Sequence, residues 1–273
     1  MITILMSTYN GARYLREQLD SILAQRFTTW QLVIRDDGST DETIQIVQSY
    51  LQKDSRIRLV CDGQNLKAMH SFEKLLSDYA DEGYIAFADQ DDVWLPEKLQ
   101  VCMDKMQETE QQFGTKTPIL IHTDLQIVDE HLNLISPSFW QYSNVHPQIL
   151  NNNTYYLAHC NSVTGCTMLF NQAARRVSLP FSPKAIMHDY TVAMSVHLAH
   201  GQLIPIAQPS ILYRQHGDNA IGALHYTFWR TLSIRWKEAK EHYRAFSPEI
   251  FHNRLHFLYW KTRYFIRLHT LPR

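Results

Sequence analysis

Short apolar segments alternate with helical patterns through the first hundred residues, and this alternation limits the fold more than any other feature. Apolar runs lie at 2–6, 30–35, 57–61 and 84–88. Between them apolar residues recur at spacings of three and four, as in 13–25, which is typical of amphipathic helices. Strands that alternate with helices predict a parallel sheet with helices on both faces. The second half is less regular: it predicts strands at 119–122, 125–128 and 163–171, a strand pair at 203–214 and a loop at 136–161.

Polar clusters follow three of these strands at the point where each strand ends. They are residues 7–11 (STYNG), 36–41 (DDGSTD) and 89–92 (DQDD). In open parallel sheets, ligands bind at the carboxyl ends of the strands. The sequence therefore predicts that three loops rich in hydroxyl and carboxylate groups meet at one edge of the sheet.

The third cluster, Asp89 to Asp92, precedes a helix predicted over residues 97–107. Carboxylates this close repel one another unless a cation lies among them. Magnesium and manganese prefer such oxygen ligands and bridge carboxylates to phosphates. The alternative is an acidic loop that caps the following helix, with Asp92 near its N-cap.

The second cluster, residues 36–41, suits recognition of a pyrimidine base. A carboxylate there can accept the N3–H of uracil or thymine, and Gly38 allows a sharp turn. The alternative is a strand-to-helix turn with Asp41 as N-cap, and both can hold together. The sequence contains no G-x-G-x-x-G and no Walker A motif, which disfavours a dinucleotide or a P-loop triphosphate.

In this order and spacing, the three clusters resemble glycosyltransferase family 2, strongly over the first hundred residues and more loosely to about residue 220. Bacterial rhamnosyltransferase-like members are the most similar in kind. The resemblance implies an α/β GT-A fold: a single, mostly parallel central sheet flanked by helices, followed by a C-terminal helical extension. It also implies an inverting, metal-dependent sugar transfer from a UDP- or dTDP-sugar, with rhamnose, galactose and glucose as candidates.

The resemblance also implies roles for residues of the three clusters. Asp37 would bind the base imide and Tyr9 would pack on the ring, while Asp91 would be a direct ligand of Mn²⁺ or Mg²⁺. The full set of expected donor-binding residues in these clusters is Thr8, Tyr9, Asn10, Asp37 and Asp89.

Two sites in the second half complete the expected set. Asp189, at the start of a predicted helix, matches the family's catalytic base, and inverting transfer requires a group that takes the acceptor's proton. His188 stands where the family commonly has Glu, and the alternative for Asp189 is a plain helix N-cap. In the segment YRQHGDN, Arg214 could neutralise a donor phosphate and His216 could bind the metal; the alternative is a surface loop.

We expect three regions: a nucleotide-sugar-binding half at 1–100, an acceptor-binding half at 101–221, and a basic, aromatic helical extension at 222–273. The extension has ten Lys/Arg against three Asp/Glu, a net charge of +7. Such a segment suits an anionic membrane surface, which would bring the enzyme to a glycan or lipid-linked saccharide acceptor. The alternatives are a helical cap packed on the catalytic domain and an oligomer contact. No motif for nucleic acid accompanies the basic segment.

The four cysteines form no C-x-x-C pair, no apolar run is long enough to span a membrane, and the N-terminus lacks a basic leader. These features predict a cytoplasmic protein, with peripheral attachment to the inner face of the plasma membrane. Functions of another class remain open: a non-catalytic nucleotide-sugar-binding subunit or a membrane-docking scaffold.

Overall fold

The structure is a computed structural model that describes residues 1–217 and 239–270. Its strands are β1 Ile2–Thr8, β2 Trp30–Asp36, β3 Ile57–Cys61, β4 Tyr84–Ala88, β5 Val93–Trp94, β6 Ile119–Val128, β7 Leu134–Ser136, β8 Met168–Phe170 and β9 Gln202–Arg214. Its labelled helices are α1 Leu15–Leu23, α2 Thr43–Leu51, α3 Lys67–Tyr79, α4 Lys98–Phe113, α5 Phe139–Tyr142, α6 Pro147–Leu150, α7 Thr154–Leu157, α8 Gln172–Ser178, α9 His188–Leu198 and α10 Arg254–His269. A 3₁₀ turn covers Gly165–Thr167, and residues 239–246 are helical.

The strands form one central sheet in the order β3-β2-β1-β4-β8-β6-β9-β5. The short β7 pairs with the last residues of β6, Ile127 and Val128. Strands β3, β2, β1 and β4 are parallel, as the alternation predicts. In the second half the directions are mixed: β8 runs antiparallel to both β4 and β6, whereas β6 and β9 are parallel. The expected single α/β sheet flanked by helices is confirmed, and β1 to β4 are its continuous parallel part.

Two apolar cores cover the two faces of the sheet. Alternate residues of β1 point to opposite faces: Ile4 and Met6 pack with α1, α2 and α4, and Leu5 packs with α3, α8 and α9. Burial on both faces explains why β1 is apolar at nearly every position. Both cores leave the carboxyl ends of the parallel strands uncovered by helices, so the polar loops lie there.

The second half differs from the sequence-based expectation in three places. The strands expected at 119–122 and 125–128 are one strand, β6, with a register shift at Thr123 and Asp124. The pair expected at 203–214 is likewise the single strand β9. The strand expected at 163–171 is the 3₁₀ turn followed by the short β8.

Residues 136–161, expected to be a loop, contain the three short helices α5, α6 and α7. The side chains of Ser138 and Asn153 cap α5 and α7 by accepting the N–H of Gln141 and Tyr156, and Pro147 opens α6. Side-chain caps satisfy N–H groups that the first turn leaves unpaired. They therefore stabilise helices too short to show an apolar period.

The described part of the C-terminal segment packs on the domain. Phe251, Phe257, Tyr264 and Leu268 are buried in the same core as Leu5 of β1. Residues 239–270 therefore form a helical cap on the domain, and the expected membrane contact concerns only the side of this cap that faces away from the core. Within the two ranges that can be described, no helix combines the length and apolarity needed to cross a membrane.

Candidate active site

The loops after β1 and β2 lie side by side because the two strands pair along their whole length, ending at Thr8 and Asp36. Asp36 joins the loops. Its Oδ1 accepts the backbone N–H groups of Gly38 and Ser39 at 3.1 and 2.8 Å, and its Oδ2 accepts the hydroxyl of Thr8 at 2.9 Å. Thr8 is buried, so its hydroxyl holds the two loops together at the edge where a donor is expected.

Asp37 is buried beside Arg35, a fully buried guanidinium at the end of β2. Its Oδ1 accepts from Arg35 at 2.5 Å and from the N–H of Leu66 at 2.7 Å, and its Oδ2 accepts the N–H of Lys67 at 2.8 Å. A carboxylate oxygen can accept about two hydrogen bonds. Oδ2 thus has an acceptor position left for a ligand, and the surrounding donors hold the carboxylate in place.

Tyr9 and Asn10 form the rim of the same edge. The Tyr9 side chain is half exposed, so its ring is accessible to a ligand. Asn10 has a positive φ of 47°, and its Oδ1 accepts the N–H of Thr40 at 2.8 Å. Left-handed backbone is tolerated by Asn better than by most residues, so Asn10 both turns the chain and links it to the β2 loop.

Gln90, which lies between Asp89 and Asp91 in the third cluster, makes a contact that the sequence alone did not reveal. Its amide accepts the N–H of Tyr9 at 2.9 Å and donates to the carbonyl of Tyr9 at 3.1 Å. A Cβ on Gly11 would overlap this amide. The first and third polar clusters are therefore locked together through one side chain, and Gly11 is required by the close approach.

The acidic cluster after β4 is poorly neutralised. Burial, followed by the charges of Asp91 and Asp189, raises the pKa of Asp89 to about 7. Burial, followed by the charges of Asp91 and Asp89, raises the pKa of Asp92 well above its usual value. Asp92 Oδ1 accepts the N–H of Arg214 at 3.2 Å, whereas Oδ2 has no partner among the described residues. Asp92 does not cap the next helix, which begins at Lys98 with Glu97 at its N-cap.

The end of β9 brings His216 to this cluster. Its Nε2 lies 2.8 Å from Asp91 Oδ2, although the two residues are 125 positions apart. Its ring also packs on Tyr14 at 4.8 Å between centroids. The surface-loop alternative for this segment is therefore wrong for His216, which is nearly buried.

Arg214 lies behind the cluster, and its guanidinium is bonded on three sides. Nε donates to the carbonyl of Asp91 at 2.8 Å, Nη1 donates to the carbonyl of Glu130 at 2.7 Å, and Nη2 is paired with Glu17. The group also lies 4.5 Å from the centre of the Tyr14 ring. With only 2% of the side chain exposed, Arg214 is placed to hold Asp91 and the segment leading to His216.

Asp189 faces the acidic cluster from the first turn of α9. Its Oδ2 accepts the N–H of Gly165 at 3.1 Å, and its Oδ1 accepts the N–H of Tyr190 at 2.6 Å. Burial raises its pKa to about 6. The N-cap position belongs to Met187, so capping does not account for Asp189. Gly165 directly precedes Cys166, whose thiol lies within 4.8 Å of ligand atoms of Asp89 and Asp92, so Asp189 is held close to the acidic cluster.

His188, in contrast, lies in the apolar core. Its ring stacks on Phe72 at 4.0 Å and meets the edge of Phe87 at 5.1 Å. Burial lowers its pKa to about 3, and neither ring nitrogen has a partner in the described part of the chain. The side chain therefore helps to position the start of α9, and it is poorly placed to contact an acceptor.

The site has the chemistry to hold a divalent cation. One group of candidate ligands, Asp89, Asp92 and Cys166, brings its ligand atoms within 4.8 Å of one another. A second candidate set, Asp91 and His216, is already in contact. Hard cations such as Mg²⁺ and Mn²⁺ favour carboxylate oxygen, with imidazole acceptable to Mn²⁺, over a thiol. Burial and neighbouring carboxylates raise the pKa values of Asp89 and Asp92. A cation bound among them would favour their ionised forms.

One family model covers all three polar clusters. Residues 3–176 match the family described as Glycosyl transferase family 2. The chain is 28% identical over 182 residues to TuaG of Bacillus subtilis (strain 168), named as a glycosyltransferase of teichuronic acid biosynthesis, covering 66% of each chain. It is 26% identical over 233 residues to the dTDP-rhamnosyl transferase RfbG of Shigella flexneri, covering 80% of this chain and 74% of that one. The chain spans less than two thirds of the length of several curated relatives that it matches.

Solved structures show the same fold. The S. aureus TarS 1-349 complex with UDP-GlcNAc superposes with a TM-score of 0.63 at 18% identity, over 97% of this chain and 72% of that one. The mannosyltransferase PcManGT of Pyrobaculum calidifontis, in complex with GDP-Man and Mn²⁺, gives 0.62 at 17% identity, over 98% and 70%. Because the family match covers more than half of the sequence, the chain belongs to glycosyl transferase family 2.

Proposed function

We propose that this family 2 glycosyltransferase is an inverting enzyme that transfers a sugar from a UDP- or dTDP-sugar to a glycan or lipid-linked saccharide in bacterial surface polysaccharide biosynthesis. The observation that carries the proposal is Asp189, a carboxylate with a pKa raised to about 6 that faces the acidic cluster across the sheet edge. A general base works best when its pKa lies near the working pH.

A pyrimidine donor is supported by the β2 loop. Asp37 is held by Arg35 and two backbone N–H groups with an acceptor position left on Oδ2. Uracil and thymine each present one N3–H, which matches the single acceptor position left on Oδ2, whereas guanine presents two neighbouring donors, N1–H and N2–H₂. TarS is named with UDP-GlcNAc and RfbG as a dTDP-rhamnosyl transferase, and either base fits the same recognition. Thr8, Tyr9 and Asn10 would shape the rest of the nucleoside site.

Asp91 and His216 would hold Mn²⁺ or Mg²⁺, with Asp89 beside them at the donor. A bound cation supplies charge that stabilises the departing diphosphate. Asp92 and Cys166 are fully buried, so they are better suited to supporting this set from behind than to meeting a phosphate. Arg214 would orient Asp91 through the backbone carbonyl, and its predicted contact with a donor phosphate would require release from Glu17.

The acceptor would enter between the acidic cluster and α9. Its hydroxyl would give its proton to Asp189, whose two backbone partners fix the direction of the carboxylate. Burial lowers the pKa of His188 to about 3 and its ring is packed on Phe72, so it is too weak and too enclosed to act as a second base. TuaG is named for teichuronic acid biosynthesis, which supports an envelope polysaccharide as product and a cytoplasmic place of action at the membrane's inner face.

Titration calorimetry of UDP, dTDP and GDP, with Mn²⁺ and then with chelator, tests the proposal. We expect the two pyrimidine diphosphates to bind more tightly than GDP, and chelation to weaken binding. Asp91→Asn should remove most of the metal effect, whereas Asp104→Asn, an exposed change on α4 with the same loss of charge, should not. Equal affinity with and without metal would contradict the metal bridge. Absence of sugar transfer and of donor hydrolysis in a protein that binds donor would favour the non-catalytic subunit.

A further inference from the structure

The outward face of α10 is apolar along its centre and basic along both edges. Four of the eleven large hydrophobic side chains exposed in the described part of the chain lie on this one helix: Leu255 at 78%, Leu258 at 38%, Tyr259 at 52% and Ile266 at 56%. At about 100° per residue, spacings of three, four and seven place them on one side of the helix. We call this stripe, with its basic edges, the outer face of α10.

Charges are arranged about the stripe in a regular way. Arg254 falls on one edge, and Arg263 and Arg267 fall on the other, by the same helical spacing. The sequence of α10, RLHFLYWKTRYFIRLH, contains four Lys/Arg and no Asp or Glu. Arg263 donates to the Tyr259 hydroxyl at 3.0 Å, which keeps its guanidinium beside the stripe. The outer face therefore offers an apolar strip with one arginine along one edge and two along the other.

The opposite side of α10 is fixed to the domain. Trp260 stacks on Tyr155 of α7 at 4.0 Å with the rings nearly parallel, and Tyr264 packs on Tyr156. Phe257 is buried. Because one side is held by aromatic packing, the outer face is presented as a firm surface and is not needed for folding of the helix.

From this arrangement we propose that the outer face of α10 docks flat on an anionic lipid bilayer. Apolar side chains can enter the boundary between headgroups and acyl chains while flanking Arg and Lys meet lipid phosphates. A second copy of the chain fits less well, since two such faces would oppose like charges. A nucleic acid would leave the central apolar strip uncovered.

The docked orientation would bring the acceptor side of the enzyme to the membrane. The segment 239–270 packs against α9 through Tyr190, whose ring meets His242 and Phe246 and whose hydroxyl donates to the carbonyl of Leu157. Tyr190 directly follows Asp189, the proposed base. An acceptor carried on a lipid would then reach Asp189 from the membrane side. This step rests on the proposed function, whereas docking itself does not.

Sedimentation of the full chain with vesicles, without donor, tests the docking. The vesicles are phosphatidylcholine alone or with about one third phosphatidylglycerol. We expect binding only to the anionic vesicles, weakened by salt. The charge variant Arg263→Glu/Arg267→Glu should bind about 30-fold more weakly, taking roughly fivefold for each surface cation lost. The apolar variant Leu255→Asp/Ile266→Asp should also lose binding.

The matched control is Lys116→Glu/Arg176→Glu, which makes the same change in net charge at exposed residues away from α10. It should bind like the unchanged protein, and thermal melts should show that all variants remain folded; Arg267→Gln replaces the charge variant if that protein does not fold. Failure of the unchanged protein to bind anionic vesicles would overturn the proposal. Equal loss in the control, or a dimer that dissociates in the variants without any vesicle binding, would overturn it as well.

Discussion

Two neighbouring parts of the same sheet edge treat their carboxylates in opposite ways. At the ends of β1 and β2, Asp36 accepts four hydrogen bonds, and Asp37 accepts two backbone N–H groups and a buried guanidinium. At the end of β4, the partly exposed Asp89 and the buried Asp92 lie beside other carboxylates, and their pKa values are raised. In the first part, protein donors hold the carboxylates, whereas in the second the carboxylates mainly face one another.

The difference indicates what each part would recognise. A carboxylate already held by fixed donors is preorganised for a neutral partner such as a base imide, because nothing must be rearranged on binding. Carboxylates that repel one another favour a cation and whatever negative group that cation brings with it. Substitutions in the two parts should therefore separate nucleoside binding from metal binding and from the transfer step.

The largest effect should come from Asp189→Asn. Asn keeps the size of the side chain and can still accept the N–H of Gly165, so the fold should survive. It cannot take a proton, and general-base assistance typically contributes about 10²–10⁴-fold. We expect kcat to fall by that amount while donor affinity measured by calorimetry is unchanged. Near-normal turnover would mean that the base lies elsewhere.

The next effect concerns Arg214→Lys, which keeps the charge but loses the three-sided contact. Residues that orient metal ligands typically cost 10–100-fold in metal affinity when changed. We expect a loss of about that size in Mn²⁺-dependent binding of dTDP, with metal-free nucleotide binding unaltered. The measurement is a Mn²⁺ titration at fixed nucleotide.

Arg13→Lys is the matched control for that change. Arg13 also contacts Glu130 and lies over Tyr14, but its side chain is 64% exposed, and none of its recorded contacts reaches Asp91. It should behave like the unchanged protein. If both variants lose metal affinity equally, Arg214 has no special hold on Asp91, and its predicted contact with the donor phosphate becomes the better explanation.

Local pattern was enough to predict the parallel half of the fold. Each of its strands is an apolar run, and three of the four end in a polar cluster. Pairing of β1 with β2 and of β2 with β3 follows from the alternation, whereas β4 pairs with β1. The resemblance to the family, in contrast, named Asp91, His216 and Asp189 as separate candidates. It could not show that Arg214 meets Glu17 across 197 positions, because the partner of a buried charge depends on tertiary packing.

Other features failed for identifiable reasons. Residues 136–161 lack an apolar period, yet the capping residues Ser138 and Asn153 were a signal for short helices. The insertion of β8 between β4 and β6 joins distant segments and has no local signature. His188 was a candidate contact for the acceptor by position in the motif, and only packing shows that it faces Phe72.

Gly165→Ala should have a moderate effect on the approach of α9 to the edge. A Cβ at this position would lie 2.8 Å from His188 Nε2 and 3.5 Å from Asp189 Cβ. The His188 ring is stacked on Phe72 and cannot move freely, so we expect a loss of about 1–3 kcal/mol in unfolding free energy. kcat should fall because the N–H that Asp189 accepts is displaced.

A double-mutant cycle identifies the cause of that loss. In a His188→Ala background, Gly165→Ala should cost much less, because the clashing ring is gone. Thermal melts of the four proteins give the coupling. If the costs simply add, the contact with His188 is not the reason that residue 165 is a glycine.

The smallest effect should appear in the pH dependence of stability without metal. An unfolded Asp has its ordinary pKa, and Asp89 in the folded protein has a pKa of about 7. Between these values the folded state binds more protons than the unfolded state, so stability is present at low pH and is lost as pH rises through the folded pKa. We expect a decline of up to about 1 kcal/mol per pH unit from about pH 5 to 7.

Mn²⁺ should reverse this decline in stability, since it favours the ionised form of the acidic cluster. Asp89→Asn should make the profile shallower, with Asp92 and Asp189 contributing the remaining slope, whereas Asp104→Asn on the exposed side of α4 should leave it unchanged. A chelated protein whose unfolding free energy rises over this range would show that the acidic cluster is neutralised from within, and the contrast between the two parts of the edge would not hold.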